Sequence, residues 1–167
     1  MSVWSNFHAL DESVIRKYCV TPEATSAFFY GNEEECELRN HSQIYASAEQ
    51  AWHAMRAVFT NGQWSKFSSN RVEQMIPAGG TVLSAEDEIR YLTVVQVREC
   101  TSFFSGLDFD KRVKGLDFEK LSEMNLYKIG KIEEDEVDWV RHALLDGRSP
   151  FYQEAAGRGL AVLTHLG

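Results

Sequence analysis

His53 follows Glu49 by four positions, the spacing at which a helix sets a carboxylate beside an imidazole and can orient it as a general base. The same spacing is ordinary on a solvated helix face, and that is the simpler reading. With Trp52 next to it, His53 marks a candidate pocket. His8 and His165 fall in the predicted first and last strands, so they approach each other only if those strands are neighbours. His41 and His142 have no partner that spacing identifies. No H-E-x-x-H or comparable pattern occurs, so no metal and no cofactor are expected.

Motifs for nucleophiles and phosphates are likewise absent from the sequence. There is no G-x-S-x-G elbow, P-loop or G-x-G-x-x-G, and Gly79-Gly80 before Thr81-Val82 lacks the lysine a phosphate cradle uses. Asp108-Phe109-Asp110-Lys111-Arg112 starts like a calcium loop but places Arg112 where the third oxygen ligand belongs. Cys19, Cys36 and Cys100 are odd in number and widely spaced, which suits buried thiols better than a disulfide framework or a C-x-x-C site. The chemistry expected is therefore non-enzymatic, with a small His/carboxylate enzyme of unknown substrate as the alternative and a housekeeping protein of unknown function as another.

Charge is the most informative feature. Three runs are acidic: Glu33, Glu34, Glu35 and Glu37; Glu86, Asp87 and Glu88; and Glu133, Glu134, Asp135, Glu136 and Asp138. They hold twelve of the 25 acidic residues, so the rest of the chain carries 13 acids against 17 bases and is mildly basic. Such runs are commonly solvated surface, but they also attract and select a basic partner. The aromatic sets Phe28-Phe29-Tyr30 and Trp64 with Phe67 sit near polar turns, where they form either a binding hot spot or core.

The elements that must carry these residues can be placed from capping signals and periodicity. Alternation through Val3, Ser5 and Phe7 predicts an opening strand, and Asp11 caps a helix to about Cys19. Ser47 to Gln50 reads as a capping box for a helix carrying Trp52, Met55 and Phe59, closed by Thr60-Asn61-Gly62. Thr93 with Gln96 forms a second box ahead of Val97, Cys100 and Phe104. Asp108 and Asp117 cap two short helices, and the third acidic run opens another that breaks at Gly147 to Pro150, where Ser149 and Pro150 start a further helical segment to Ala156. Trp64 to Ser84 reads as a long loop, and Leu160 to Leu166 as a buried central strand.

A chain of 167 residues with 44% hydrophobic content suits one domain spanning 1–167. The net charge of -8 argues against nucleic acid or an anionic membrane as partner. No apolar run approaches the roughly 20 residues of a membrane helix, and the first residues lack a basic segment followed by an apolar one, so a cytoplasmic protein is expected.

The order of features resembles the YfbM-like family of small bacterial proteins, the domain of unknown function numbered 1877. The likeness rests on Ala51-Trp52-His53, Thr60-Asn61-Gly62, Gly79-Gly80, Tyr91-Leu92-Thr93 with Val94 and Val97, and Leu107-Asp108-Phe109. It continues through Met124, Tyr127 and Ala155-Ala156 to Gly159 and Ala161-Val162-Leu163. The chain departs from the pattern around Trp64 to Asn70 and at Gly147 to Pro150. The resemblance implies an α/β three-layer sandwich, a mixed β-sheet flanked by helices, and implies no activity. The resulting expectation is a protein-binding module, in its sharpest form an immunity-type inhibitor that covers a cationic toxin domain with its acidic patches.

Overall fold

In a computed structural model of the chain, the described residues are 5–31, 37–49, 51–60, 71–123 and 136–167. Five strands, β1 (Ser5–Leu10), β2 (Ile44–Glu49), β3 (Thr81–Ser84), β4 (Ile89–Leu92) and β5 (Ala161–Leu166), form one sheet in the order β2-β1-β5-β4-β3. Every pairing is antiparallel, which corrects the expected mixed sheet. The reason is in the connections. The segments from β1 to β2 and from β4 to β5 return the chain to the end where the previous strand stopped, whereas a parallel neighbour requires a crossover. The result is an α/β fold with an open sheet.

Residues of β1 alternate between two apolar clusters, as a period of two requires. Phe7 and Ala9 join Leu92 and Val162 in the larger cluster, and Leu10 joins Ile89, Ala161 and Leu163 in the smaller. The smaller cluster is completed by α1 (Glu12–Tyr18), α2 (Pro22–Tyr30) and α3 (Glu37–His41), through Ile15, Phe28 and Leu38. The larger takes in Met55 and Val58 of α4 (Trp52–Thr60), Ile76 of α5 (Val72–Ala78) and Val97 of α6 (Val94–Ser105). It extends to Phe109 of α7 (Phe109–Lys114) and Leu121 of α8 (Phe118–Glu123). Burying each such side chain contributes about 1.5–3 kcal/mol. As the central strand, β5 is buried from Ala161 through His165, in line with its unbroken apolar run.

Local chemistry explains the elements that match expectation. Thr93 accepts from the Gln96 N–H at 3.3 Å and its own N–H donates to Gln96 Oε1 at 2.9 Å, a reciprocal box at the start of α6. Asp108 accepts from the Lys111 N–H and Asp117 from the Lys120 N–H, at 2.9 and 3.0 Å. Carbonyls at the C-terminal end of α5 take donors from elsewhere, Ile76 O from Tyr152 and Pro77 O from Ser5, which satisfies groups that a helix end leaves open.

Four expectations are corrected. Ser47 belongs to edge strand β2 and donates to Ser5 O at 3.3 Å; α4 begins only at Trp52, because pairing with β1 outweighs the local capping pattern. Asp11 holds the N-cap position of α1, but its carboxylate bonds no N–H of that helix and accepts instead from Gln43 Nε2 at 3.1 Å. The stretch expected as loop holds α5 and β3, while residues 61–70, with Trp64 and Phe67, lie outside the described residues. Finally, the helix does not break at Gly147 to Pro150. α9 (Glu136–His142) runs through a π-helical segment, Ala143–Arg148, into α10 (Ser149–Gly157), and Ser149 is itself helical at φ -59, ψ -50. Pro150 has no N–H to return to the preceding turn, and the widened π turn sits immediately before it.

Candidate functional site

The register brings together what the sequence could only suggest. Asn6 lies opposite His165 and His8 opposite Leu163 across β1 and β5, while His8 faces Tyr45 across β1 and β2. Opposed residues share a face, so Tyr45, Asn6, His8 and His165 project from one side of the sheet. Helix α2 lays its C-terminal turn over them. Thr21 caps α2 by accepting from the Ala24 N–H at 3.2 Å, Pro22 fixes its first turn, and the register then delivers Phe28 to the core, Phe29 to the histidines and Tyr30 to the surface.

The contacts are specific. Tyr30 Oη and His165 Nε2 are 2.7 Å apart, and the Phe29 ring meets His165 at 4.6 Å and stands edge-on to His8 at 5.8 Å between centroids. His8 Nδ1 lies 3.0 Å from Ser42 Oγ, and its ring lies 5.0 Å from that of Tyr45. Tyr45 donates to Asn6 Oδ1 at 2.8 Å. Behind His165, Asp87 accepts from Ser84 Oγ at 2.8 Å and from Ser26 of α2.

Electrostatics follow from burial. Burial, with help from the field of His165, lowers His8 to about 4, and burial also lowers His165 against the opposing pull of Asp87. The two serine hydroxyls hold the Asp87 carboxyl below its ordinary value. Burial raises Tyr30 and both described thiols, Cys19 and Cys100. At pH 7 His8 is therefore neutral and too weakly basic for efficient proton abstraction, and the phenol and thiols are pushed away from their nucleophilic forms. What the site offers is hydrogen bonding and aromatic surface.

A cavity of about 340 Å³ opens here, walled by His8, Phe29, Tyr30 and Tyr45, with Leu38 and Arg39 of α3 and Asn6 completing it. A larger one of about 710 Å³ lies between α6 and α7, where Asp108 and Arg112 are already engaged. Asp108 caps α7, and Arg112 donates to Phe59 O at 2.9 Å while lying over the Phe59 and Phe103 rings.

The expected site residues are scattered by comparison. Trp52 and His53 stack, their rings 4.8 Å apart at 29°, but Glu49 ends β2 rather than sharing their helix, so it is not held in the spacing expected to orient His53. Burial and the charge of Arg56 lower His53. Of the acidic residues, Glu33, Glu34, Glu35, Glu133, Glu134 and Asp135 lie outside the described residues. Glu37 opens α3 and approaches His41 at 3.4 Å; Glu86 is exposed; Glu88 bridges Arg90 at 2.7 Å; Glu136 opens α9; and Asp138 lies 3.6 Å from Arg141. Both histidines left unpaired by the sequence reading have partners four residues away, Glu37 for His41 and Asp146 for His142. The roles of Tyr45 and Arg39 went unread; of the Phe28-Phe29-Tyr30 set, Phe28 lies in the core and Tyr30 is exposed, and Thr21-Pro22 is an N-cap and N1 signature that would have placed α2.

The model of the domain of unknown function DUF1877 matches residues 1–165. The chain belongs to this family. Its fold is similar to that of YfbM from Escherichia coli, a protein of unknown function, with a TM-score of 0.70 over 98% of this chain and 99% of that one at 14% identity. No curated protein matches it. Like the family's description, that likeness carries no activity. Among the described residues no helix is long and apolar enough to cross a membrane.

Proposed function

We propose that this family member is a non-enzymatic, cytoplasmic protein-binding module whose contact surface centres on the Tyr30 and Tyr45 cavity and is bordered by acidic residues. The observation that carries the reading is the exposure of Tyr30 at 49% and Tyr45 at 58% on either side of a concave site. Half-exposed tyrosines beside a pocket are the residue type and setting of binding hot spots, and interfaces surround such a centre with a polar rim. One residue from each of two acidic runs stands near α2: Asp87 is bonded to Ser26, and Glu37 lines a hollow with Ala24, Ala27 and Phe28. A partner with a basic surface fits that rim, and an immunity-type inhibitor of a cationic toxin domain is the sharpest form of the idea. The helices on both faces of the sheet accord with a three-layer reading.

The test is affinity capture from the native host with the wild-type chain and a Tyr30→Ala/Tyr45→Ala variant, each eluted by salt. A basic protein retained by the wild type, released by salt and lost from the variant supports the reading. Equal capture by both, or capture indifferent to salt, overturns it.

A further inference from the structure

The cavity at β1, β2, α2 and α3 has a composition that specifies a ligand of its own. Its walls are rings, those of His8, Phe29, Tyr30 and Tyr45, with Leu38 at its side. Among the described residues that line it, Arg39 is the one with a formal charge at neutral pH, since burial keeps the His8 imidazole unprotonated. Arg39 is exposed, and no described residue makes an ion pair or hydrogen bond with its guanidinium. The volume, about 340 Å³, lies at the small end of ligand pockets, enough for one ring and a short side group.

We propose that this cavity binds a small aromatic carboxylate, its ring between the aromatic walls and its carboxylate on Arg39. Ring-on-ring contact supplies the apolar part of the binding, and a guanidinium supplies the planar, two-pronged donor that a carboxylate matches. The phenol groups of Tyr30 and Tyr45 both have internal partners, His165 and Asn6, which leaves Arg39 to discriminate between charged and neutral ligands. The ligand shares its cavity with the proposed protein contact, but the two are read by separate measurements, so either can fail alone.

The probe is phenylacetate, with phenylacetamide as its uncharged counterpart, titrated into the whole chain and followed by amide NMR shifts. Saturable shifts at Asn6, His8, Arg39 and Tyr45 are expected, with the acid binding about tenfold tighter than the amide. Arg39→Gln is expected to erase that preference while leaving the amide's affinity unchanged, and Tyr45→Ala to weaken both ligands. Absence of saturable shifts, shifts confined elsewhere, or an acid-to-amide ratio that survives Arg39→Gln overturns the assignment. The unliganded amide spectrum of each variant shows that it folds.

Discussion

The guanidinium of Arg148 lies 3.5 Å from the centroid of the Phe7 ring, and its Nε, Nη1 and Nη2 have no hydrogen-bond partner among the described residues. The residue is 1% exposed, and burial lowers its pKa to about 9. A ring face offsets part of the desolvation of a cation, but five N–H donors without acceptors leave most of the cost in place.

Replacing that charge by an apolar side chain of similar length should therefore stabilise the fold. Arg148→Met is expected to raise the unfolding free energy by about 1–4 kcal/mol. Phe7→Ala, which leaves the charge and removes its ring, is expected to lower it by about 3–5 kcal/mol. Urea denaturation measures both, and a loss of stability in Arg148→Met would show that the guanidinium has a compensating contact.

His8 makes stability depend on pH. Its folded value, about 4, lies below the 6.5 of a free imidazole, so the unfolded chain binds the extra proton first. Stability is expected to be complete above about pH 6.5 and to fall as pH drops toward 4, by on the order of 3 kcal/mol if the full shift is expressed. His165, also lowered by burial, acts in the same direction. Denaturant midpoints of His8→Gln should show a shallower slope across this window than the wild type; parallel slopes would contradict the assignment.

Thr93→Ala removes the hydroxyl that accepts the Gln96 N–H. A loss of about 1 kcal/mol is expected, with Thr93→Ser retaining most of the stability. Thermal unfolding of the two variants separates the cap from simple packing, because only the alanine lacks an acceptor.

Gly80→Ala should be far more damaging. Gly80 has φ +119, and an added Cβ would overlap the Tyr91 carbonyl oxygen across the β3–β4 pair. Strain at such a backbone costs about 1–3 kcal/mol before the clash is counted. Circular dichroism melts should place this variant well below Gly157→Ala, whose added Cβ meets nothing within 4 Å.

What could be read from the sequence was whatever neighbouring residues decide among themselves. The Thr93 and Gln96 box, the stripe of Val97, Cys100 and Phe104, and the caps at Asp108 and Asp117 involve groups a few positions apart, and all are found as expected. The Ser47 pattern is equally local, yet that residue pairs with β1, more than 40 residues away in sequence, and no local signal reports that competition. The cavity is less legible still. His8, Phe29, Arg39 and Tyr45 meet only because the sheet register and two helices converge. The net charge of -8 likewise hid the fact that Glu88 and Asp138 have arginine partners and Asp87 has serine donors.

The strand order has a kinetic meaning. β1 with β2 and β4 with β3 form two separate strand pairs, and β5, which comes after all of them in the chain, is the only strand among the described residues that bonds to both. Until it inserts, each pair has an open edge where the centre of the sheet will be, and such edges invite pairing with other chains. Contacts spanning most of the sequence close late, so folding is expected to be slow and concentration-sensitive, with the aggregation hazard confined to the interval before β5 docks.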